Sequence, residues 1–161
     1  GEAGLGKSLI MRQFCEGQAM AVHYCFRFNR SKILDRRRFV CTLARQLADA
    51  VPPYMHKLQA DRELQRLFST EALSQPGGPM QALEEGVLEP LQELASELPS
   101  AVYIVVDALD EAADALDEAA DAEAVRTLNL LESILDCLEH LEQLKLVCSS
   151  RPGVKHVQPL L

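Results

Sequence analysis

Apolar positions along the chain change period several times, and each change marks an element. After a glycine-rich opening, Leu9 to Cys15 reads as a helix. Ala21 to Phe28 is crowded with aromatic and β-favouring residues and reads as a strand. A polar loop, Asn29 to Asp35, follows. Asp35 then stands as N-cap before Phe39, Leu43, Leu47 and Ala50 at helical spacing, and Pro52-Pro53 ends that run. Residues 54–75 are amphipathic and read as helical. Gln75 to Pro79 is a loop, and Met80 to Leu98 is a further helical stretch with an acidic outer face, weakened by Gly86 and Pro90. Ala101 to Val106 is a continuous apolar run, as expected of a strand buried on both faces of a parallel sheet. Residues 107–123 are rich in Ala, Asp and Glu. Residues 124–141 carry Leu128, Leu131, Leu135 and Leu138 on one helical stripe. Leu144 to Ser149 reads as a second buried strand, broken by Arg151-Pro152-Gly153. Strands alternating with helices predict an α/β fold around a parallel sheet.

Length and composition sharpen this picture. At 161 residues the chain is one domain in size, and 48% hydrophobic with 25% charged residues is ordinary globular usage. The longest apolar run is far short of the roughly 20 residues a membrane-spanning helix needs, so no membrane partner is expected. The chain opens on Gly1 with no charged-then-apolar leader, so no signal peptide is read. Five dispersed cysteines, without C-x-x-C or His/Cys clustering, read as reduced thiols of an intracellular, cytoplasmic protein. Net charge is −8, divided into +6 over residues 1–70 and −14 over residues 71–161. The overall acidity argues against nucleic-acid binding, while the basic front half suits a phosphate ligand.

Three short motifs carry candidate chemistry. Gly1 to Ser8 reads GEAGLGKS and matches G-x-x-x-x-G-K-[ST], in which glycines let backbone N–H groups turn in around phosphate oxygens. The helix that follows directs its partial positive end at the same anion. The nucleotide-binding set is Gly1, Gly4, Leu5, Gly6, Lys7 and Ser8, with Lys7 on the β- and γ-phosphates and the Ser8 hydroxyl on Mg²⁺. Second, the strand ending at Val106 runs into Asp107, Ala108, Leu109, Asp110 and Glu111. A carboxylate at the C-terminal tip of a buried strand lies where open α/β sheets bind ligands, so Asp107 is a candidate Mg²⁺ ligand, and Asp110 or Glu111 a candidate for polarising water. Asp107 as a mere cap of the next helix is the alternative. Third, LKLVCSSRP at 144–152 ends a strand in polar groups and Arg151, a candidate sensor of γ-phosphate charge or a plain surface arginine.

Taken in this order, GEAGLGKS at 1–8, VYIVVDALDEA at 102–112 and LKLVCSSRP at 144–152 resemble the nucleotide-binding core of the STAND class of P-loop NTPases, within the NACHT or nephrocystin-type group. HYCFRFNRSKILDRRRFVCTLARQLA at 23–48 is similar to that group as well. The resemblance implies a three-layer sandwich with strand order 5-1-4-3-2 and an ATP- or GTP-dependent switch of slow hydrolysis. It assigns phosphates to Gly6 and Lys7, Mg²⁺ to Ser8 and Asp107, water activation to Asp110 or Glu111, and γ-phosphate sensing to Arg151. With no N-K-x-D motif to read guanine, ATP is favoured over GTP. Against that pattern residues 1–161 read as a partial domain. It would start at the phosphate loop, without the first strand, which would flank Leu144–Ser149, and would end just after the strand carrying S-S-R-P. Protein partners or self-association would then act through flanking domains.

The heptad DALDEAA occurs twice in succession, at Asp107–Ala113 and Asp114–Ala120. The first copy abuts the strand and is the functional candidate. The second would add about two helical turns. The eight acids between Asp107 and Glu123 read as a solvated face, since the glycine-bearing EF-hand spacing of a calcium loop is absent. Arg30, Lys32, Arg36, Arg37 and Arg38 read as a solvated helix start, or as a contact for an acidic surface. The four histidines lack metal spacing, and His23 reads as a structural strand residue. Two other functions stay open: an interaction scaffold that holds nucleotide without hydrolysing it, and a small-molecule kinase of the same loop class.

Overall fold

A computed structural model of the chain describes residues 6–25, 36–108, 132–136 and 142–150. Its elements are α1 (Lys7–Glu16), β1 (Ala21–Cys25), α2 (Arg36–Ala50), α3 (Pro52–Ala60), α4 (Arg62–Leu67), α5 (Thr70–Ser74), α6 (Gly78–Leu83), a π-helical turn (Glu84–Leu88), α7 (Glu89–Glu93), a 3-10 turn (Ala95–Glu97), β2 (Val102–Asp107) and β3 (Leu144–Cys148). Residues 132–136 are also helical. Among the described residues no helix is long and apolar enough to cross a membrane.

The three strands form a parallel sheet in the order β1-β2-β3. Ala21 pairs with Tyr103 and Cys25 with Asp107 on one side, and Val102 with Leu144 and Val106 with Cys148 on the other. Successive side chains alternate between faces, so the register sorts the sheet into two surfaces. Val22, Tyr24, Ile104 and Val106 share one face. Ala21, His23, Tyr103, Val105 and Asp107 share the other. α2 covers the first, where Phe39 meets Tyr24 edge-on with ring centroids 4.8 Å apart. α1 covers the second, where Phe14 meets Tyr103 edge-on at 5.3 Å. Helices on both faces make this an α/β arrangement, as the alternation of elements predicts.

The main core lies on the α2 face. Phe39, Val40, Leu43, Ala44 and Leu47 recur every three or four residues along α2 and are all buried. They pack with Val22, Ile104 and Val106 of the sheet, with Tyr54, Leu83, Val87 and Leu91 of the helical segment between α2 and β2, and with Ile134. At the outer edge of β1, the Gln46 carboxamide accepts from His23 N at 2.6 Å and donates to His23 O at 2.9 Å. One side chain of α2 thus occupies strand hydrogen-bonding groups that would otherwise invite another chain.

Several local outcomes differ from the periodicity. Residues 54–75 are three helices instead of one, because Asp61 and Ser69 take extended backbone and cap new starts: Asp61 accepts from Glu63 N and Leu64 N, and Ser69 from Ala72 N. The prolines at 52 and 53 separate α2 from α3 by starting the second helix. α6 begins at Gly78, inside the expected loop. The 80–98 stretch is interrupted by the π turn. Pro90 has no N–H for the carbonyl four residues back, which is that of Gly86, and the buried Tyr54 hydroxyl donates to that oxygen at 2.8 Å instead. β2 is buried along nearly its whole length, as expected. β3 is not: Leu144 is buried, Lys145 exposed and Leu146 to Cys148 half-buried. The cap at Asp35, residues 26–28 of the first strand, most of the 124–141 helix and the second DALDEAA copy lie outside the described residues.

Candidate functional site

Among the described residues, buried charge is found at the C-terminal tip of β2. Five of the six β2 residues are buried, and the last of them, Asp107, is 1% exposed. It is the only buried charged side chain among the described residues. A carboxylate in such a place must be hydrogen-bonded or paired if it is to stay ionised. One of its oxygens is well served. Oδ1 accepts from the Ser149 hydroxyl, one residue past β3, and from Ala108 N at 3.0 Å. Ala108 N is also 3.0 Å from Ser149 Oγ, which closes a small ring of three groups. Ala108 reaches this position through a φ of 59°, a left-handed conformation that an L-residue adopts at a cost of about 1–2 kcal/mol. The other oxygen, Oδ2, is buried and has no hydrogen-bond partner among the described residues.

Burial pushes the Asp107 carboxyl upward, but the Ser149 hydroxyl, the Ser8 hydroxyl, Ala108 N–H and the nearby His23 together outweigh it. They hold the group below its ordinary value. Asp107 is therefore a carboxylate at neutral pH, with one oxygen anchored and one left over.

α1 supplies the second half of the site. Gly6, at φ 102° and ψ −27°, turns the chain into the helix in a conformation open to glycine and strained for other residues. Ile10 N closes the first turn on Gly6 O at 2.9 Å. No side chain caps the N–H groups of that turn, and α1 carries no acid there. The start of the helix is thus an uncapped positive end, with Ser8 in its first turn facing Asp107. Lys7, the first residue of α1, is exposed.

Of the expected site residues, the structure brings together Ser8 and Asp107, with Gly6 and Lys7 at the adjoining helix start. Gly1, Gly4, Leu5, Asp110, Glu111 and Arg151 lie outside the described residues. Two residues enter that sequence reasoning passed over. Ser149 stood inside the S-S-R-P stretch without a role, yet it anchors Asp107. His23, whose sequence context reads as a structural strand residue, lies by register on the Asp107 face of the sheet, near enough to favour the carboxylate's charge. The signal for both was available in the alternation of the strands, once their pairing was known. Among the described residues no three His, Cys, Asp or Glu side chains gather as a metal cluster.

These observations define an α/β domain with its polar site at the carboxyl edge of a parallel sheet. A family model described as Nephrocystin 3, N-terminal, matches residues 1–151, and the chain belongs to that family. No curated protein and no solved structure matches it.

Proposed function

We propose that this domain is an ATP-binding switch of the NACHT-like, STAND-class P-loop type, which binds nucleotide with Mg²⁺ at the start of α1 and hydrolyses it slowly. The observation that carries the reading is the buried Asp107 carboxylate, whose Oδ2 has no partner among the described residues, with the Ser8 hydroxyl at the start of α1 near enough to favour its charge. A hydroxyl from a helix start and a carboxylate from a strand tip are the two protein groups that hold Mg²⁺ beside a phosphate loop. The unpartnered Oδ2 fits that ion: a buried carboxylate oxygen without a donor is costly unless a cation completes it. When bound there, Mg²⁺ would neutralise charge on the β- and γ-phosphates.

The chain's own groups divide the remaining work. The uncapped N–H groups of α1 and the exposed Lys7 supply positive charge for phosphate oxygens. Gly6 permits close approach of backbone to ligand. Ser149 fixes one oxygen of Asp107 and leaves the other for the cation. Asp110 or Glu111 would orient water, and Arg151 would read the γ-phosphate. Strand order gives further support. With β1, β2 and β3 taken as second, third and fourth strands, the order 5-1-4-3-2 requires β2 between the other two, as it is.

The test is nucleotide binding with and without Mg²⁺, in the parent and in Asp107→Asn. The parent should bind ATP more tightly with Mg²⁺ present, and Asp107→Asn should lose that enhancement while keeping Mg²⁺-free binding. Equal binding by both proteins at saturating Mg²⁺ would refute the assignment of Asp107. Glu111→Gln then divides the switch from the scaffold reading: it should abolish slow turnover in a hydrolase and change nothing in a scaffold.

A further inference from the structure

Asp107 Oδ2 is one of two buried polar side-chain atoms without a hydrogen-bond partner among the described residues; the other is His23 Nε2. The two residues sit on adjacent strands. His23 pairs with Val105 and Cys25 with Asp107, so His23 and Asp107 share a face of the sheet and are offset by two residues. From strand spacing and rise, their Cα atoms are roughly 8 Å apart. Side chains of this length span that distance through one small bridging group.

The backbone of His23 is fixed as well: Gln46 holds both its N–H and its carbonyl from the far side of the strand. The imidazole therefore issues from a clamped position on the face that α1 covers. A valine or isoleucine would suit a strand there without cost, whereas a buried ring nitrogen left unpaired costs about 1–3 kcal/mol. Two such atoms on one face, one of them on the carboxylate assigned to Mg²⁺, point to a common occupant.

We propose that His23 is a positioning residue of the Asp107 site, its Nε2 hydrogen-bonded to a water molecule that hydrates the Mg²⁺ held at Asp107 Oδ2. This rests on the nucleotide reading above. It deepens that reading by giving β1 a part in the site. Mg²⁺ retains several waters when bound, and groups that hydrogen-bond those waters tune its affinity. Gln46 then links α2 to the same site through the His23 backbone.

The experiment is a Mg²⁺ titration of ATP binding by the protein, in the parent, His23→Leu and His23→Gln. His23→Leu should raise the Mg²⁺ concentration at half-effect by about tenfold or more, as loss of an outer partner of a metal does, with Mg²⁺-free ATP affinity changed by less than about twofold. Glutamine keeps a polar group at similar reach, so His23→Gln should stay within about threefold of the parent. An unchanged Mg²⁺ dependence in a folded His23→Leu protein overturns the inference. So does a His23→Gln protein as impaired as His23→Leu. Should His23→Leu fail to fold, ¹⁵N imidazole spectra of the parent decide, with the His23 signal assigned by its absence in His23→Gln. That signal should shift when Mg²⁺ is added to the ATP-loaded protein, and a signal that stays in place overturns the inference. Absence of any Mg²⁺-dependent binding in the parent refutes the nucleotide reading itself and this inference with it, a result distinct from the variant-specific failures.

Discussion

Replacing Tyr54 by Phe deletes one hydroxyl from the middle of the helical segment and leaves every apolar contact of the ring in place. Tyr54 is fully buried, and its hydroxyl donates to Gly86 O at 2.8 Å. Pro90 cannot supply the usual helical donor to that carbonyl, so the variant strands a buried acceptor. Such a loss costs about 1–3 kcal/mol. A domain of this size changes its Tm by about 2–4 °C per kcal/mol, so about 2 kcal/mol corresponds to a fall of about 4–8 °C in Tyr54→Phe. The mechanism also makes a pairwise demand. Pro90→Ala restores an N–H four residues after Gly86. In that background Tyr54→Phe should cost less, with a coupling of at least about 0.5 kcal/mol. Urea unfolding of the four proteins of this cycle measures both quantities. A Tyr54→Phe protein within about 0.5 kcal/mol of the parent, or a strictly additive cycle, would refute the claim that the hydroxyl stands in for the missing proline donor.

Other consequences follow from close contacts and shifted ionisations. A Cβ on Gly78 would lie 2.1 Å from the backbone oxygen of Ala72, which cannot swing away, so Gly78→Ala should destabilise by about 1–3 kcal/mol in the same unfolding assay. Ser149→Ala removes a hydrogen bond to an ionised carboxylate and should cost about 1.5–3 kcal/mol at neutral pH. Because Asp107 is held below its ordinary value when folded, its contribution is present above the unfolded carboxyl pKa of about 3.9 and fades as pH falls through the folded value. The gap between parent and Ser149→Ala should therefore close in acid, and a gap independent of pH would contradict this. Burial pushes the Cys148 thiol up to about 11 from 9.0. At pH 8 it should react with iodoacetamide about a hundredfold more slowly in the folded than in the unfolded protein, as followed by peptide mass spectrometry.

Much of this arrangement can be read from the chain, and the reasons it stops are physical. An apolar run closing on Asp107 has few interpretations, and the structure places that carboxylate at the buried tip of the middle strand. The periodicity of Phe39, Leu43 and Leu47 likewise gives α2 and its buried face. The helical segment was less legible. Asp61 and Ser69 are caps only if the chain turns extended just before them, which a helical pattern conceals. Pro90 was visible as a weakness, but its remedy lies 36 residues earlier, at Tyr54. Lys145 gave notice that β3 would not be buried on both faces. The parts played by Ser149 and His23 depend on register. Nothing local distinguishes either from any polar residue at a strand end or within a strand, until pairing with β2 brings them to Asp107.

The central claim is that the start of α1 and the tip of β2 bind a nucleotide together with Mg²⁺. The most direct measurement is calorimetric titration of the protein with ATP in the presence of Mg²⁺, beside its Lys7→Ala variant. The account predicts saturable binding by the parent and its loss in a folded Lys7→Ala protein. A folded parent that takes up no ATP, or a Lys7→Ala variant that binds as the parent does, would contradict it.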